Sequence, residues 1–449
     1  MNAGDEKRRT SSSHAAPRFA FPRGSLLLLL VLVASRLPFL THPVPTHPDE
    51  AAFTAGIGFP ADYPVHPPGY PLWVAMGTLL ARCGLTRYAS YEAWSVLASL
   101  AAPVLLYLLL MRMLPGADRS QHAQGGPRPP AANPGEPRAD RLAWWLALAF
   151  GLNPLVWFHS VAALTYLPAT VAALAVVLLV DRAVTTDDRR PLLRGAAILA
   201  IGLFLRPDLL LYLGPLVLYA AWRLRSRTAP MIVAAGGLAC AAVIAFLYTR
   251  HDAAAASRFA HTREVLLGTS VFQLGLLDGL LRNAVKIGAN LVWDFGLGVF
   301  LLPVTAWTLR RDRRRDRPRF ALFALWLAPG GLFLLLMHVV QGYFLILLPA
   351  GYLLIGCMLR SRLAPRSATR LAAAVALFSL AQFLFYPWSA DSTGFKRLLD
   401  AKVAFQSAAG LRHIDQRAKI HHGGDYWPTR AHHRANDTAA SPTSRRAPR

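Results

Sequence analysis

Long apolar segments recur along the whole chain, and they constrain the fold more than any other feature. A helix needs about 20 residues to cross the hydrocarbon core of a bilayer, and the longer segments reach that length. About eleven segments pass the usual window criterion for membrane spans. They lie near residues 25–40, 92–114, 142–158, 162–181, 193–205, 208–224, 230–249, 286–309, 320–338, 343–360 and 369–387. The sequence therefore predicts an all-α polytopic membrane protein with about eleven transmembrane helices.

Composition agrees with a membrane protein and excludes an ordinary soluble enzyme. Of the 449 residues, 54% are hydrophobic and only 16% are charged. The formal net charge of +24 would suggest a nucleic-acid partner in a soluble protein, but here the basic residues lie between apolar segments. We therefore expect the lipid bilayer, and no nucleic acid, as the partner. Cys83, Cys240 and Cys357 are odd in number and widely spaced, so we expect neither a disulfide framework nor a zinc site.

The placement of arginine predicts the orientation in the membrane. The junctions after the second, fourth, sixth, eighth and tenth segments all carry basic residues, as cytoplasmic loops do. The N-terminus is then cytoplasmic and the short C-terminal tail extracytoplasmic. The apolar segment Tyr70 to Cys83 is short and begins at a proline, so we expect a re-entrant or interfacial helix there.

Three regions follow from this topology: a basic cytoplasmic N-terminus, a transmembrane domain, and an extracytoplasmic tail that is partly disordered. The first apolar segment lacks a small-residue cleavage site and is expected to be a retained helix rather than a signal peptide. The boundaries are 1–24, 25–387 and 388–449, with a first outer loop at 41–91, a cytoplasmic linker at 115–141 and a second outer loop at 250–285.

The first outer loop contains several polar side chains of the kinds that take part in catalysis. Asp49 and Glu50 are adjacent carboxylates near the end of a predicted span, where the pKa of one should rise, as a general base requires. A helix cap at Asp49 explains the same residues without chemistry. The run His66-Pro67-Pro68-Gly69-Tyr70-Pro71 follows, and its prolines restrict the backbone so that His66 and Tyr70 are presented beside the carboxylates. Simple helix termination is the alternative for this run.

Further candidates lie at the outer ends of later segments. Arg206, in Leu205-Arg206-Pro207-Asp208, could bind a phosphate through two nitrogens. It could instead snorkel to the membrane surface or pair locally with Asp208. His338, Gln341 and Tyr343 lie in a short outer turn and could line a site or cap helices. Basic residues between the seventh and eighth segments could complete a phosphate site or remain solvated; they include Arg258, Arg263 and Arg282 in the second outer loop and Lys286 directly after it.

These motifs resemble those of membrane glycosyltransferases of the GT-C type. Within that group, the Asp49-Glu50 pair and the His66–Pro71 run are most similar to the protein O-mannosyltransferase-like branch. The segment Asn153-Pro154-Leu155-Val156-Trp157-Phe158-His159-Ser160, leading to Leu164-Thr165-Tyr166, is similar to a break between two spans in that branch, whose members often place Glu at the position of Leu164. The resemblance covers mainly the first 210 or so residues.

The resemblance implies transfer of a sugar from a polyprenyl phosphate donor to a hydroxyl of a protein, lipid or glycan at the extracytoplasmic face, by a single displacement that inverts the sugar carbon. Asp49 would be the general base, and Glu50 would orient it or help to bind a divalent cation; the metal ligands are otherwise unknown. Substrate-binding residues would be His66, Tyr70, His159, Tyr166, Arg206, Asp208, His338 and Gln341.

Two other functions remain open at this stage. A transporter or flippase for a lipid-linked sugar would place ionisable residues near the bilayer midplane on broken helices. A non-catalytic scaffold subunit with the same fold is compatible with Leu164 in place of an acid. The arginine-rich, lysine-poor composition favours a bacterial cytoplasmic membrane and an undecaprenyl or decaprenyl carrier.

Overall fold

The computed structural model describes residues 23–37, 53–54, 56–57, 69–114, 138–251, 260, 263, 267, 270–312, 317–337, 339 and 341–385. Within these ranges every regular element is helical. The helices are α1 (Arg23–Arg36), α2 (Pro71–Arg82), α3 (Arg87–Met113), α4 (Arg138–Gly151), α5 (Pro154–Ser160), α6 (Tyr166–Thr186), α7 (Arg189–Leu205), α8 (Leu209–Arg223), α9 (Thr228–His251), α10 (Val271–Leu274), α11 (Leu276–Phe295), α12 (Leu301–Asp312), α13 (Arg317–Leu336), α14 (Gln341–Arg362) and α15 (Pro365–Phe385). A 3₁₀ turn, Gly296–Phe300, joins α11 to α12.

Each apolar segment that the sequence analysis identified overlaps a helix, so the all-helical class is confirmed. Among the described residues, five helical stretches are long and apolar enough to cross a membrane, or six if the bent pair α4–α5 is one span; the five are Arg87–Met113, Tyr166–Thr186, Thr228–Arg250, Leu276–Trp307 and Gly342–Arg362. Shorter apolar helices cover Gly24–Arg36, Leu209–Arg223 and Ala321–Leu336. The total of eleven spans and the side on which each end lies stay predictions, as do the three region boundaries.

The third predicted span is not one straight helix. α4 and α5 meet at an angle of 59°. Asn153 caps α5 by accepting a hydrogen bond from the Leu155 backbone N–H at 2.8 Å, and Pro154 occupies the first turn, where its missing N–H is not needed. The break thus follows from local sequence, because Asn-Pro ends one helix and starts the next.

The segment expected to be re-entrant or interfacial forms α2. This helix begins at Pro71 and follows Tyr70, whose φ of 45° lies in the left-handed region that bulky residues rarely adopt. α2 packs on α3, where the rings of Trp73 and Tyr91 lie 4.9 Å apart and Gly77 leaves room for the Tyr91 ring. The position of α2 relative to the membrane stays a prediction.

The helical core is centred on α14, which is buried over nearly its whole length and contacts α3, α4, α6 and α12. In contrast, α9 and α11 expose large apolar side chains, among them Leu238 and Leu277. Apolar exposure of this extent suits a lipid-facing surface. α9 still approaches α7 closely, because Gly236 lies against the backbone of Ala200, as small residues allow at membrane helix interfaces.

Candidate functional site

Arg206 lies at the break between α7 and α8 and forms the centre of the candidate site. It follows the last residue of α7, and Pro207 and Asp208 complete the turn that leads into α8. Only 2% of Arg206 is exposed, although arginine is almost never fully buried unless it is paired. A buried guanidinium at a helix break is therefore a candidate for function.

Most of the hydrogen-bonding capacity of Arg206 is used within the protein. Its Nε donates to Asp208 Oδ1 at 2.9 Å, and its Nη2 donates to Asp208 Oδ2 at 2.8 Å. Its Nη1 donates to Thr165 Oγ1 at 3.0 Å. The sequence analysis left open whether Arg206 pairs with Asp208, and the structure contains that pair. The two-nitrogen face of the guanidinium thus points to Asp208. Arg206 also donates to the hydroxyl of Tyr343, so at most one N–H group of Nη1 or Nη2 remains for another acceptor.

Three tyrosine rings surround the guanidinium, and we call Tyr70, Tyr166 and Tyr343 the tyrosine cage. The Arg206 Cζ atom lies 4.2 Å from the ring centroid of Tyr166, 5.2 Å from that of Tyr343 and 5.8 Å from that of Tyr70. All three distances are within the range of cation–π attraction. The cage therefore compensates the buried charge from the side that Asp208 does not cover.

Four separate parts of the chain supply this arrangement. Tyr70 comes from the turn before α2, and the ring of Phe53 packs edge-on against it at 5.4 Å. Tyr166 begins α6 and Tyr343 lies near the start of α14, with 5.9 Å between their ring centroids. Gly342 permits this approach, since a β-carbon there would overlap the Tyr166 ring.

His159, at the end of α5, extends the aromatic wall. Its ring lies 5.1 Å from that of Tyr166 and 5.0 Å from that of Phe158. The side chain is 4% exposed. The structure thus brings together five of the residues that the sequence predicted to bind substrate: Tyr70, His159, Tyr166, Arg206 and Asp208.

The electrostatics of the site favour a permanently charged arginine and neutral phenols. Burial is the largest single influence and opposes the charge on Arg206, but the Asp208 carboxylate and its hydrogen bond, together with Tyr166 and Tyr70, outweigh it, so the pKa of Arg206 is well above its usual value. Burial raises the pKa of Tyr70 well above its usual value, although Arg206 partly offsets the rise. The Arg206–Asp208 pair is then close to neutral overall, and a phosphate bound here would need further cationic groups.

Tyr212 was not identified from the sequence. It lies one turn beyond Asp208 on the same face of α8, and its ring packs on Gly330 of α13. It is fully buried, and within the described ranges its hydroxyl has no hydrogen-bond partner. The signal in the sequence that could have identified Tyr212 is its position four residues after Asp208, at the start of a predicted helix.

An apolar groove adjoins Arg206 on the side of α9. It has a volume of about 430 Å³ and is lined almost entirely by small and aliphatic side chains. Its lining residues are Leu203, Pro207, Leu210, Gly237, Cys240, Ala241, Ile244 and Ala245. A groove of this chemistry suits a hydrocarbon chain rather than a sugar.

Several predicted site residues fall outside the described part of the chain. Asp49, Glu50, His66 and His338 are among them, and so is the side chain of Gln341. Their roles, including that of Asp49 as general base, stay predictions. Among the described residues, no group of three or more His, Cys, Asp and Glu side chains could hold a metal ion, so the divalent cation also stays a prediction.

Comparison with known proteins identifies a fold but no sequence family. No family model matches the chain. No curated protein matches it either. Among solved structures, the chain is similar to ArnT from Cupriavidus metallidurans bound to undecaprenyl phosphate, with a TM-score of 0.54, 16% identity, and coverage of 87% of this chain and 70% of ArnT.

A second solved structure is the arabinosyltransferase EmbB from Mycobacterium smegmatis. Its TM-score is 0.41 at 13% identity, and the alignment covers 89% of this chain and 42% of EmbB. That likeness is too weak to support an argument. The likeness to ArnT shows the fold alone, so this chain shares the helical fold of ArnT over most of its length.

Proposed function

We propose that this protein is a membrane glycosyltransferase that moves a sugar from a polyprenyl phosphate donor to a hydroxyl acceptor. The observation that carries the proposal is the buried Arg206 inside the tyrosine cage, at a helix break of the fold shared with ArnT. Aromatic rings suit the faces of a sugar, and a guanidinium suits its phosphate. ArnT, which shares the fold, was solved with undecaprenyl phosphate, and this supports the same class of lipid here.

The proposed reaction is a single displacement at the sugar. The acceptor oxygen forms a bond to the anomeric carbon while the bond from that carbon to the phosphate oxygen breaks. The acceptor proton passes to the carboxylate of Asp49, and polyprenyl phosphate leaves with the electron pair of the broken bond. Glu50 orients Asp49 or helps to bind a cation, and His66 lines the acceptor side.

Arg206 acts on the phosphate through the N–H group that Asp208, Thr165 and Tyr343 leave over. Asp208 holds the guanidinium in place, and basic groups such as Lys286 supply the additional positive charge that the nearly neutral pair lacks. The apolar groove beside Arg206 accommodates the first prenyl units of the donor. His338 and Gln341, which are close to Tyr343 in the sequence, are further substrate-binding residues in this proposal.

The proposal also includes the branch of the glycosyltransferases, the stereochemistry of transfer and the topology in the membrane. The similarity of the His66–Pro71 run favours the protein O-mannosyltransferase-like branch, with inversion at the anomeric carbon. The arginine pattern favours eleven spans with the site facing outward from a bacterial cytoplasmic membrane.

The first experiment measures the release of sugar from the donor. The purified protein is incubated with radiolabelled polyprenyl phosphate sugars and membrane extract, and label loss from the lipid is followed for the wild type and Asp49→Asn. We expect loss with the wild type only. Asp187→Asn is the matched control, because Asp187 is an exposed acid in the turn after α6. Full activity of Asp49→Asn would remove Asp49 as the base.

A second experiment tests the groove. In Gly237→Leu the added side chain fills the groove, so the KM should rise for a polyprenyl phosphate donor and stay unchanged for a sugar phosphate donor that carries a methyl group in place of the prenyl chain. Gly331→Leu is the control, since nothing lies within 4 Å of a β-carbon at 331. An equal effect of Gly237→Leu on both donors would contradict a chain-binding role.

A carrier of lipid-linked sugars is a second candidate, and one observation favours it. Asp294 is 1% exposed and lies at the end of α11 beside the 3₁₀ turn, so an ionisable residue does occupy a broken helix. A carrier would move labelled lipid-linked sugar across reconstituted vesicles and form no new glycosidic product. Product formation that depends on Asp49 would decide for the transferase.

A further inference from the structure

Five polar side chains meet inside the helical core, away from Arg206, and we call them the Asp294 cluster. They come from the α4–α5 break, α11, α14 and α15, and they are Asn153, Asp294, Tyr352, Ser379 and Gln382. The first four are each at most 1% exposed. Ionisable and polar residues at such places in a membrane protein are costly and are commonly functional.

Part of the cluster has a structural explanation. The last carbonyl groups of α11 lack partners in their own helix, because the chain turns into a 3₁₀ turn at Gly296. Asn153 Nδ2 donates to the carbonyl of Asp294, and Gln382 Nε2 donates to the carbonyl of Trp293 at 2.7 Å. The two amide nitrogens are therefore explained as donors to the last carbonyl groups of α11.

The carboxyl group of Asp294 has no such explanation. Within the described residues, neither of its oxygens has a hydrogen-bond partner, and neither has Gln382 Oε1. Gln382 Oε1 lies 3.0 Å from the point that a β-carbon of Gly296 would occupy, which places it beside the chain segment that carries Asp294. Three buried acceptor oxygens are thus left in one region, although buried polar groups are normally satisfied.

The hydroxyl of Tyr352 adds a fourth oxygen near the carboxyl group. It lies 3.5 Å from Asn153 Nδ2 and 3.5 Å from the carbonyl of Ala149, and it bonds to the Ser379 side chain. Tyr352 is close enough to Asp294 for an electrostatic interaction. The cluster is therefore rich in oxygen ligands around a single acid.

The identity of the missing partner follows from this inventory. One proton on Asp294 could bridge only two of the three unpartnered oxygens. A water molecule could satisfy these oxygens only if Asp294 were protonated, because it would leave an ionised carboxylate buried and uncompensated. A divalent cation would exceed the charge of one carboxylate. A hard monovalent cation compensates that charge and can be coordinated by several oxygens together.

We propose that the Asp294 cluster binds one monovalent cation of the sodium class. The carboxylate of Asp294 is the charged ligand and Gln382 Oε1 is a neutral ligand, while Tyr352 Oη, which already bonds to Asn153, Ala149 and Ser379, borders the site. Because these residues lie on α11, α14 and α15, and Asn153 ties the α4–α5 break to them, the bound cation stabilises the contact among these helices. The inference does not depend on the proposed transferase activity.

The test measures thermal unfolding of the purified protein against NaCl concentration, with choline chloride added to keep the ionic strength constant. A ligand that binds only the folded state raises the Tm with its concentration, so the Tm of the wild type should rise with NaCl. Asp294→Asn should remove this rise. Asp181→Asn, at a buried acid that is already paired with Arg112, should keep it.

A second variant and a direct binding measurement keep the proposal testable even if Asp294→Asn does not fold. Gln382→Met removes one neutral ligand and should shift the NaCl dependence of the Tm to at least tenfold higher concentration. Binding of radioactive sodium to the wild type should approach one ion per chain. A wild-type Tm that does not change with NaCl, equal slopes for the wild type and Asp294→Asn, or no bound sodium would each overturn the proposal.

Discussion

The ring of Tyr166 lies directly against Gly342, where a β-carbon would overlap three carbon atoms of the ring. This contact fixes the distance between α6 and the start of α14, and with it the position of two rings of the tyrosine cage. The tyrosine cage therefore requires glycine at position 342, although Gly342 has no side chain that could bind or react with a substrate.

Replacement of Gly342 by alanine should disturb the tyrosine cage. The new methyl group displaces the Tyr166 ring or α14, and overpacking of this kind costs about 1 to 3 kcal/mol. We expect a lower free energy of unfolding in detergent together with reduced sugar transfer. Gly331→Ala is the control: it faces open space in α13 and should stabilise by up to about 1 kcal/mol through helix propensity. Equal stability of the two variants would show that Tyr166 can move freely.

Asp208→Asn should leave Arg206 as an uncompensated buried charge. Removal of one partner from a buried pair costs about 3 to 5 kcal/mol, and the lower end applies here because Asp208 is 23% exposed. Chemical unfolding in detergent measures the loss. Asp188→Asn should change little, since Asp188 is an exposed N-cap of α7 and asparagine caps equally well.

A double variant separates the ion pair from the packing of the arginine stem. Arg206→Met combined with Asp208→Asn should destabilise the protein by less than the sum of the two single changes. In the double variant both charges are removed, so no unpaired charge is left at the site. Strict additivity would indicate that the 2.8 Å contact between Arg206 Nη2 and Asp208 Oδ2 contributes no coupling energy.

Tyr70 offers a test of the ring apart from the hydroxyl. Tyr70→Phe keeps a ring over Arg206, so its change in the free energy of unfolding measures the contribution of the hydroxyl alone. Tyr70→Leu removes the cation–π contact and should cost about 1 kcal/mol beyond the loss of the hydroxyl. Both variants retain a bulky residue at the left-handed φ of 45°, so backbone strain does not differ between them. If leucine were as stable as phenylalanine, the ring would not stabilise the guanidinium.

The stability of the protein should depend on both hydrogen bonds of the Asn153 side chain, the one that caps α5 and the one donated by its amide nitrogen. Asn153→Ala removes both the cap of α5 and the bond to the Asp294 carbonyl, at a combined cost of about 2 to 3 kcal/mol. Asn153→Asp keeps the cap but turns an acceptor towards that carbonyl, so it should be at least as unstable. Thermal unfolding compares these variants with Asn290→Ala, whose amide bonds only within α11 and whose loss should be nearly neutral.

Several site residues could be predicted from the sequence because their signals are local. Pro67 to Pro71 and the Leu205-Arg206-Pro207-Asp208 run each interrupt an apolar pattern, and Tyr70, Tyr166 and Arg206 stand beside such interruptions. Asp294 also had a local signal, as a lone acid within the predicted span 286–309, but its partners lie on three other segments. The sequence pattern therefore gave no reason to connect it with Gln382 or Tyr352.

The sequence by itself determined that the chain is helical and where its apolar segments lie, since hydropathy over a window is a property of neighbouring residues. Only the tertiary structure decided that Arg206 pairs with Asp208 while three tyrosines enclose it, and that Asp294 ends among unpartnered oxygens. Those arrangements depend on which helix faces meet, and that depends on side-chain fit at contacts such as Gly342 with Tyr166, between residues far apart in the chain.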